Sequence, residues 1–256
     1  MTDRSADVLP PVVPFAELHA KSAFSFLRAT ATPEALVARA VELGLRGLAL
    51  VDEGSLSGAV RFIRAAEAAQ LPALLGVEFE MADPAVPDID GIVLPLPRPR
   101  GADADAAVLD GVARQPLPQR QRRPLDELVP HADRRGVADA ELGPRLVALA
   151  VDERGYRSLA RLLSRSNLEA SKGVTRLRHA LLEDHLREYP GSLILIAPFD
   201  ESEIARRLAA GDRAGARAVV ERLAATALRG ALHLELSDRQ LRGDAWLLDE
   251  VVALAA

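Results

Sequence analysis

Cysteine is absent from all 256 residues, which excludes disulfides, thiolate metal sites and cysteine nucleophiles. Aromatic residues make up only 4% of the chain against 49% hydrophobic residues in total, so the core has to be built from Ala, Leu and Val. Lysine is almost missing: of 32 basic residues only Lys21 and Lys172 are lysines, an Arg/Ala/Leu bias that reads as genome composition rather than function. The net charge of −5 gives no global sign of nucleic-acid binding. No apolar run reaches the ~18 residues that a membrane span needs. Met1 to Pro14 has no apolar stretch of signal-peptide length. A cytoplasmic protein without a membrane partner is expected.

What is present alternates. Phe15 to His19 reads as a short strand. Thr32-Pro33-Glu34 is a helix start, with Thr as N-cap, Pro at the first helical position and Glu in the first turn. Leu36, Val37, Ala40, Val41 and Leu43 form one apolar face before Gly44 ends the helix. Gly47 to Val51 is a buried strand that stops at Asp52, Leu56 to Gln70 a second helix, and Pro72 to Phe79 the next strand. Strands and helices in this alternation predict an α/β fold on a parallel sheet with right-handed crossovers.

Residues 81–145 break the pattern. They hold ten of the 17 prolines, a possible strand at Ile92 to Leu96, and the cluster Arg120-Gln121-Arg122-Arg123. Pro97 to Gly143 is expected to be a long insertion, partly disordered, whose basic cluster is a solvated loop. Beyond it, strands are expected at Arg145 to Ala150, Leu193 to Ile196 and Ala231 to Leu236. Helices are expected at Arg154 to Ser166, Glu201 to Ala210, Ala214 to Thr226 and Asp244 to Ala255, with Trp246 in the core.

The first strand carries the chemistry. It ends at His19, and two residues later stands Lys21. Ligands in parallel α/β proteins sit at the C-terminal ends of strands, and residues i and i+2 of a strand point the same way. Two histidines so spaced would clasp one metal. A protonated lysine donates hydrogen bonds and cannot ligate. The frame of a metal site therefore has a cation built into it.

The stretch Phe15 to Leu27 resembles the opening motif of the PHP (polymerase and histidinol phosphatase) family, closest to the domain found in bacterial DNA polymerase III alpha chains of the error-prone type. Pro33 to Gly58, with Leu48 to Gly58 at its end, is similar to the second motif, Leu75-Gly76-Val77-Glu78 to the third, and Leu149 to Leu159 to a segment of the polymerase branch. The resemblance implies a distorted, TIM-like β/α barrel of seven strands, here without its last one, spanning residues 15–256 behind a disordered tail at 1–14. Active members bind divalent metals that activate water against a phosphoester. Taken position by position, His19, Asp52, Glu53 and Glu78 match metal positions. Lys21 replaces a ligand histidine, Phe199 stands where a Cys or His belongs, and Arg239 stands near another such position. A cation ~4 Å from the metal seat opposes the metal by roughly 4 kcal/mol at an effective dielectric near 20. Lys21 is expected to pair with Asp52, Glu53 or Glu78 instead.

Two readings follow. In the first, the site is degenerate, holds no cofactor, and the domain serves structurally beside polymerase modules of an alpha chain or accessory mutagenesis proteins, touching DNA only indirectly. In the second, a metal-dependent phosphoesterase or 3′–5′ exonuclease uses Zn, Mn or Mg at His19, Asp52, Glu53 and Glu78. The remaining histidines, His131, His179, His185 and His233, read as structural, with His233 pointing inward from its strand.

Overall fold

The computed structural model describes residues 14–82, 143–169, 176–227, 230–238, 240–241 and 243–255. The expected tail, the strand at Ile92 to Leu96, the arginine cluster, His131, Lys172 and Arg239 lie outside the described residues.

Six strands form one sheet in sequence order: β1 (Ala16–Ala20), β2 (Gly47–Glu53), β3 (Ala73–Glu80), β4 (Arg145–Ala150), β5 (Leu193–Ala197) and β6 (Leu232–Leu234). Seven helices accompany them among the described residues: α1 (Pro33–Glu42), α2 (Ala59–Ala68), α3 (Glu153–Glu169), α4 (His179–Glu188), α5 (Glu203–Ala209), α6 (Arg213–Thr226) and α7 (Asp244–Ala255). The sheet curls into a half-barrel. The mixed α/β fold and partial barrel agree with the expectation from sequence.

One strand corrects that expectation. β1, β2 and β3 are parallel, as are β5 and β6, but β4 runs antiparallel to both its neighbours. A parallel neighbour needs a crossover that returns the chain to the opposite end of the sheet. Here β3 and β4 meet at the same end: the Met81 amide donates to the Pro144 carbonyl at 2.7 Å, and Glu80 faces Arg145 across the ladder. As a result the first residue of β4 lies at the rim formed by the C-terminal ends of the other strands.

The local signals explain the elements. Thr32 Oγ1 accepts from the Ala35 amide at 3.3 Å, so α1 starts where its N-cap and Pro33 dictate. Val37 and Ala40 bury their side chains, whereas Val41 and Leu43, also expected inward, are about half exposed. Helix α2 begins three residues later than expected, at Ala59, and buries Ala59, Phe62 and Ala66. Trp246 is 47% exposed rather than core.

The sheet has two apolar faces. Leu48 and Leu50 of β2 pack outward on Val37, Ala40, Phe62 and Ala66 of the helices. Further along, Val77, Phe79, Leu146, Ala148 and Leu195 pack outward with Leu159, Leu162, Leu182 and Val219. The inner face is smaller: Ala49, Val51, Val147, Leu149 and Ile196. Gly76 is needed there, because a Cβ would stand 2.5 Å from Leu149 Cδ2 and 2.9 Å from the Ala148 carbonyl oxygen.

Candidate functional site at the strand ends

Alternation along the strands decides which side each polar residue takes. Ala49, Val51 and Glu53 follow one another on the inner face of β2, and Gly76, Glu78 and Glu80 on the inner face of β3; Glu53 lies opposite Glu78 in the ladder. Asp52 falls on the outer face with Leu48 and Leu50, toward the start of α2.

His19 is clasped from both sides. Its Nε2 lies 2.6 Å from Glu78 Oε2 and its Nδ1 2.8 Å from Glu235 Oε2, just past β6. This contact joins the two edges of the curled sheet, β1 and β6. Lys21 Nζ stands 2.9 Å from the same Glu78 oxygen. Burial alone pushes the His19 imidazole down, but hydrogen bonds to Glu235 and Glu78, together with their charges, outweigh it and raise the group to about 9. Burial likewise works to raise Glu78, yet the hydrogen bond from His19 and the charge of Lys21 hold it at about 2. Both sets of contacts therefore favour an imidazolium at His19 and a carboxylate at Glu78.

Glu53 turns to arginines. Arg145, at the start of β4 and only 3% exposed, brings a guanidinium nitrogen to 2.5 Å from Glu53 Oε1. Neither of its terminal nitrogens makes a hydrogen bond, so the contact is ionic. Arg28 Nε lies 3.4 Å from the other Glu53 oxygen and its Nη1 3.9 Å from Glu201 Oε1. Glu80 accepts from Arg176 Nε at 2.6 Å and from the Gly143 amide at 2.8 Å.

Asp52 is buried and serves a different purpose. Its Oδ1 accepts from the Ser22 amide and from Ser25 Oγ, both at 2.7 Å, and its Oδ2 accepts from Ser22 Oγ at 2.8 Å. Ser25 Oγ in turn accepts from the Glu53 amide at 3.0 Å. Ser55, also near this rim in sequence, is half-buried and donates to Ser57 Oγ at 2.9 Å instead.

The four sequence candidates thus divide. His19 and Glu78 meet, Glu53 sits beside them on arginines, and Asp52 lies on the other face holding the loop after β1. Among the described residues no group of three or more His, Asp or Glu side chains is arranged to hold a metal. The donors of His19, Glu53 and Glu78 are engaged by charged partners, so the residues as placed do not fit a divalent cation. Lys21 pairs with Glu78, one of the three carboxylates expected for it. Phe199 is buried and Ser202, three residues on, caps α5 by accepting from the Ala205 amide.

Sequence reasoning missed Arg145 and Glu235. Arg145 could not be found without knowing that β4 runs backwards. Glu235 had a signal: it follows His233 at the same i, i+2 spacing that links His19 to Lys21. Of the other histidines, His179 pairs with Glu203 at 3.0 Å and His185 is fully buried on Ser158 at 2.8 Å, both structural placements. His233, expected to point inward, pairs in register with Ile196 of the inner face but is exposed.

The chain is similar to known proteins. Over 167 residues the chain is 36% identical to an error-prone DNA polymerase of Nocardia farcinica, covering 65% of this chain and 13% of that one. Over 74 residues it is 54% identical to an error-prone DNA polymerase of Cutibacterium acnes, 29% of this chain and 6% of the other. Over 189 residues it is 30% identical to that of Pseudomonas aeruginosa, 74% and 12%. The chain therefore spans a small fraction of the length of these relatives. Among solved structures, an amidohydrolase from Chromobacterium violaceum with bound sulfate and no metal aligns with 94% of this chain and 82% of its own at a TM-score of 0.45 and 14% identity. The PHP domain profile matches residues 17–239, and the chain belongs to the PHP domain family.

Proposed function

We propose that this chain is a PHP domain of the error-prone polymerase type whose strand-end site is degenerate, and that its role is structural. In metal-competent members of the family the strand ends hold divalent cations; here Lys21, His19, Arg145 and Arg28 supply the positive charge against Glu78, Glu235 and Glu53. The observation that carries this reading is the ammonium of Lys21 at 2.9 Å from Glu78 Oε2, the oxygen that also receives His19. A cation bound there removes the electrostatic reason for a metal and keeps the rim closed without one. The domain then acts as a packing body for polymerase modules or accessory mutagenesis proteins in the cytoplasm, with DNA only indirectly in contact. No helix among the described residues is long and apolar enough to cross a membrane.

The test is metal content and hydrolysis together. After incubation with Zn²⁺ or Mn²⁺ and desalting, the purified chain is expected to retain far less than one metal per molecule and to leave a model phosphodiester uncleaved. Stoichiometric metal with hydrolysis that disappears in His19→Ala would replace this reading by that of a metal-dependent phosphoesterase or 3′–5′ exonuclease. Copurification of a polymerase polypeptide with the tagged chain tests the partner half of the proposal.

A further inference from the structure

Asp52 orders the loop after β1, and that loop presents an apolar tip. Ser22 and Ser25, 0% and 1% exposed, are tied to the Asp52 carboxylate, and the Ser25 carbonyl accepts from the amides of Arg28 and Ala29 at 3.0 and 3.2 Å. Between these anchors Phe26 is 86% and Leu27 103% exposed. Single exposed apolar side chains are ordinary. Two large ones in succession at the apex of a loop pinned from beneath are not. Leu27 also has φ +62°, a conformation that turns normally give to Gly or Asn. The backbone therefore holds a bulky residue outward at a position where a smaller one would be easier. Arg28, on the far side of the tip, pairs with Glu53 and Glu201 and fixes its second flank.

Resting on the structural role proposed above, we infer that the Phe26–Leu27 tip is the element that docks this domain onto its polymerase module, inserting into an apolar depression there. The polymerase relatives supply the occupant: the region matched here is 13% of the Nocardia farcinica chain, so most of such a polymerase lies outside this domain. An aromatic next to an aliphatic residue, pre-ordered before contact, is the composition of an interface anchor that loses little freedom on binding.

The test is photocrosslinking in the cells that make this chain. With benzoylphenylalanine in place of Phe26, the crosslinked peptide identified by mass spectrometry is expected to come from a polymerase module. The same probe at Leu168, 85% exposed on α3, is expected to give about tenfold less of that product. The double variant Phe26→Ser, Leu27→Ser is expected to lower copurifying polymerase about tenfold with an unchanged unfolding midpoint. Crosslinking only to another copy of this chain, equal crosslinking from both positions, or a double variant that copurifies like the wild type overturns the inference. Any of these alongside polymerase in the wild-type preparation overturns the inference and leaves the proposed function standing; polymerase missing from the wild-type preparation refutes the inference and the polymerase-partner half of the proposed function, whose degenerate-site half is decided by metal content.

Discussion

Lys21 places its ammonium 2.9 Å from Oε2 of Glu78. That one carboxylate oxygen, 59 residues from His19 in sequence, also lies 2.6 Å from the imidazole, so a single buried glutamate holds together the end of β1 and the middle of the sheet. Removing either cation leaves Glu78 under-compensated in a place where it is 1% exposed, and an unpaired buried charge is far more costly than the pair is stabilising.

This clasp sets a pH dependence. The His19 imidazole is raised from 6.5 to about 9 in the folded chain, so its contribution is fully present below pH 6.5 and is lost as pH rises through about 9. Glu78 is lowered from 4.5 to about 2, so its contribution is present above pH 4.5 and is lost as pH falls toward 2. Both shifts describe the same ion pair and are not summed. Urea unfolding is expected to give greatest stability between pH 4.5 and 6.5 and a loss of about 2–3 kcal/mol on going to pH 9.5. Glu235→Gln is expected to flatten the alkaline side. An NMR titration that puts His19 near 6.5 would remove the basis for this.

Asp52 offers a second measurement. Its carboxylate accepts three hydrogen bonds from the loop after β1, two from serine hydroxyls that are themselves buried. Asp52→Ala strands those donors, and the expected cost is about 2–4 kcal/mol in chemical denaturation. Asp52→Asn, which keeps one acceptor oxygen, is expected to cost about half as much. Hydrogen exchange should localise the change: amides of residues 22–29 open in Asp52→Ala while those of β4 stay protected. Uniform loosening of the whole sheet would contradict the anchoring role.

The fold was largely legible in the sequence because its signals are local. The cap at Thr32, the strand ending on Asp52 and the helices around Gly211 all follow from a few adjacent residues. The direction of β4 was not legible, since it depends on where the chain returns after residues 83–142 and not on the pattern Arg145 to Ala150 itself. The site divided the same way. His19, Lys21 and Glu78 could be named from spacing and resemblance. The split between Glu53 and Asp52 is a one-residue matter of which face each takes, and the roles of Arg145 and Glu235 depend on partners more than 90 and 200 positions away in sequence. Trp246 was misjudged because its apolar neighbours suggested a buried helix face, whereas α7 buries Val251 and Asp244 instead.

Gly76 tests the inner packing independently of charge. An added Cβ would meet the Ala148 carbonyl oxygen at 2.9 Å, a backbone atom that cannot rotate away, as well as the Leu149 and Val51 side chains. Gly76→Ala is expected to destabilise by about 1–3 kcal/mol, as overpacking of a close-packed core does. Adding Leu149→Val is expected to recover only part of that, because it relieves the side-chain clash and not the backbone one. Full recovery would show that the backbone contact between Gly76 and Ala148 is looser than 2.9 Å implies.

Lys21→His separates charge from geometry at the rim. The substitution removes the ammonium from Glu78 and sets a second imidazole two residues from His19, on the side where Glu78 Oε2 and Glu235 Oε2 already converge on His19. Two imidazoles and two carboxylates are a sufficient donor set for tetrahedral zinc. The variant is expected to bind one Zn²⁺ per chain under conditions where the wild type binds none, and at a hundredfold excess over the dissociation constant to gain about 2.7 kcal/mol of stability from that binding. Hydrolytic activity is not expected to follow, because Glu53 remains on Arg145 and Asp52 remains on the other face of the sheet. Isothermal titration and thermal unfolding with and without zinc provide the measurement. A folded Lys21→His chain that still takes no zinc would mean that the lysine is not what excludes the metal, and the responsibility would pass to Arg145, whose guanidinium holds Glu53 at 2.5 Å.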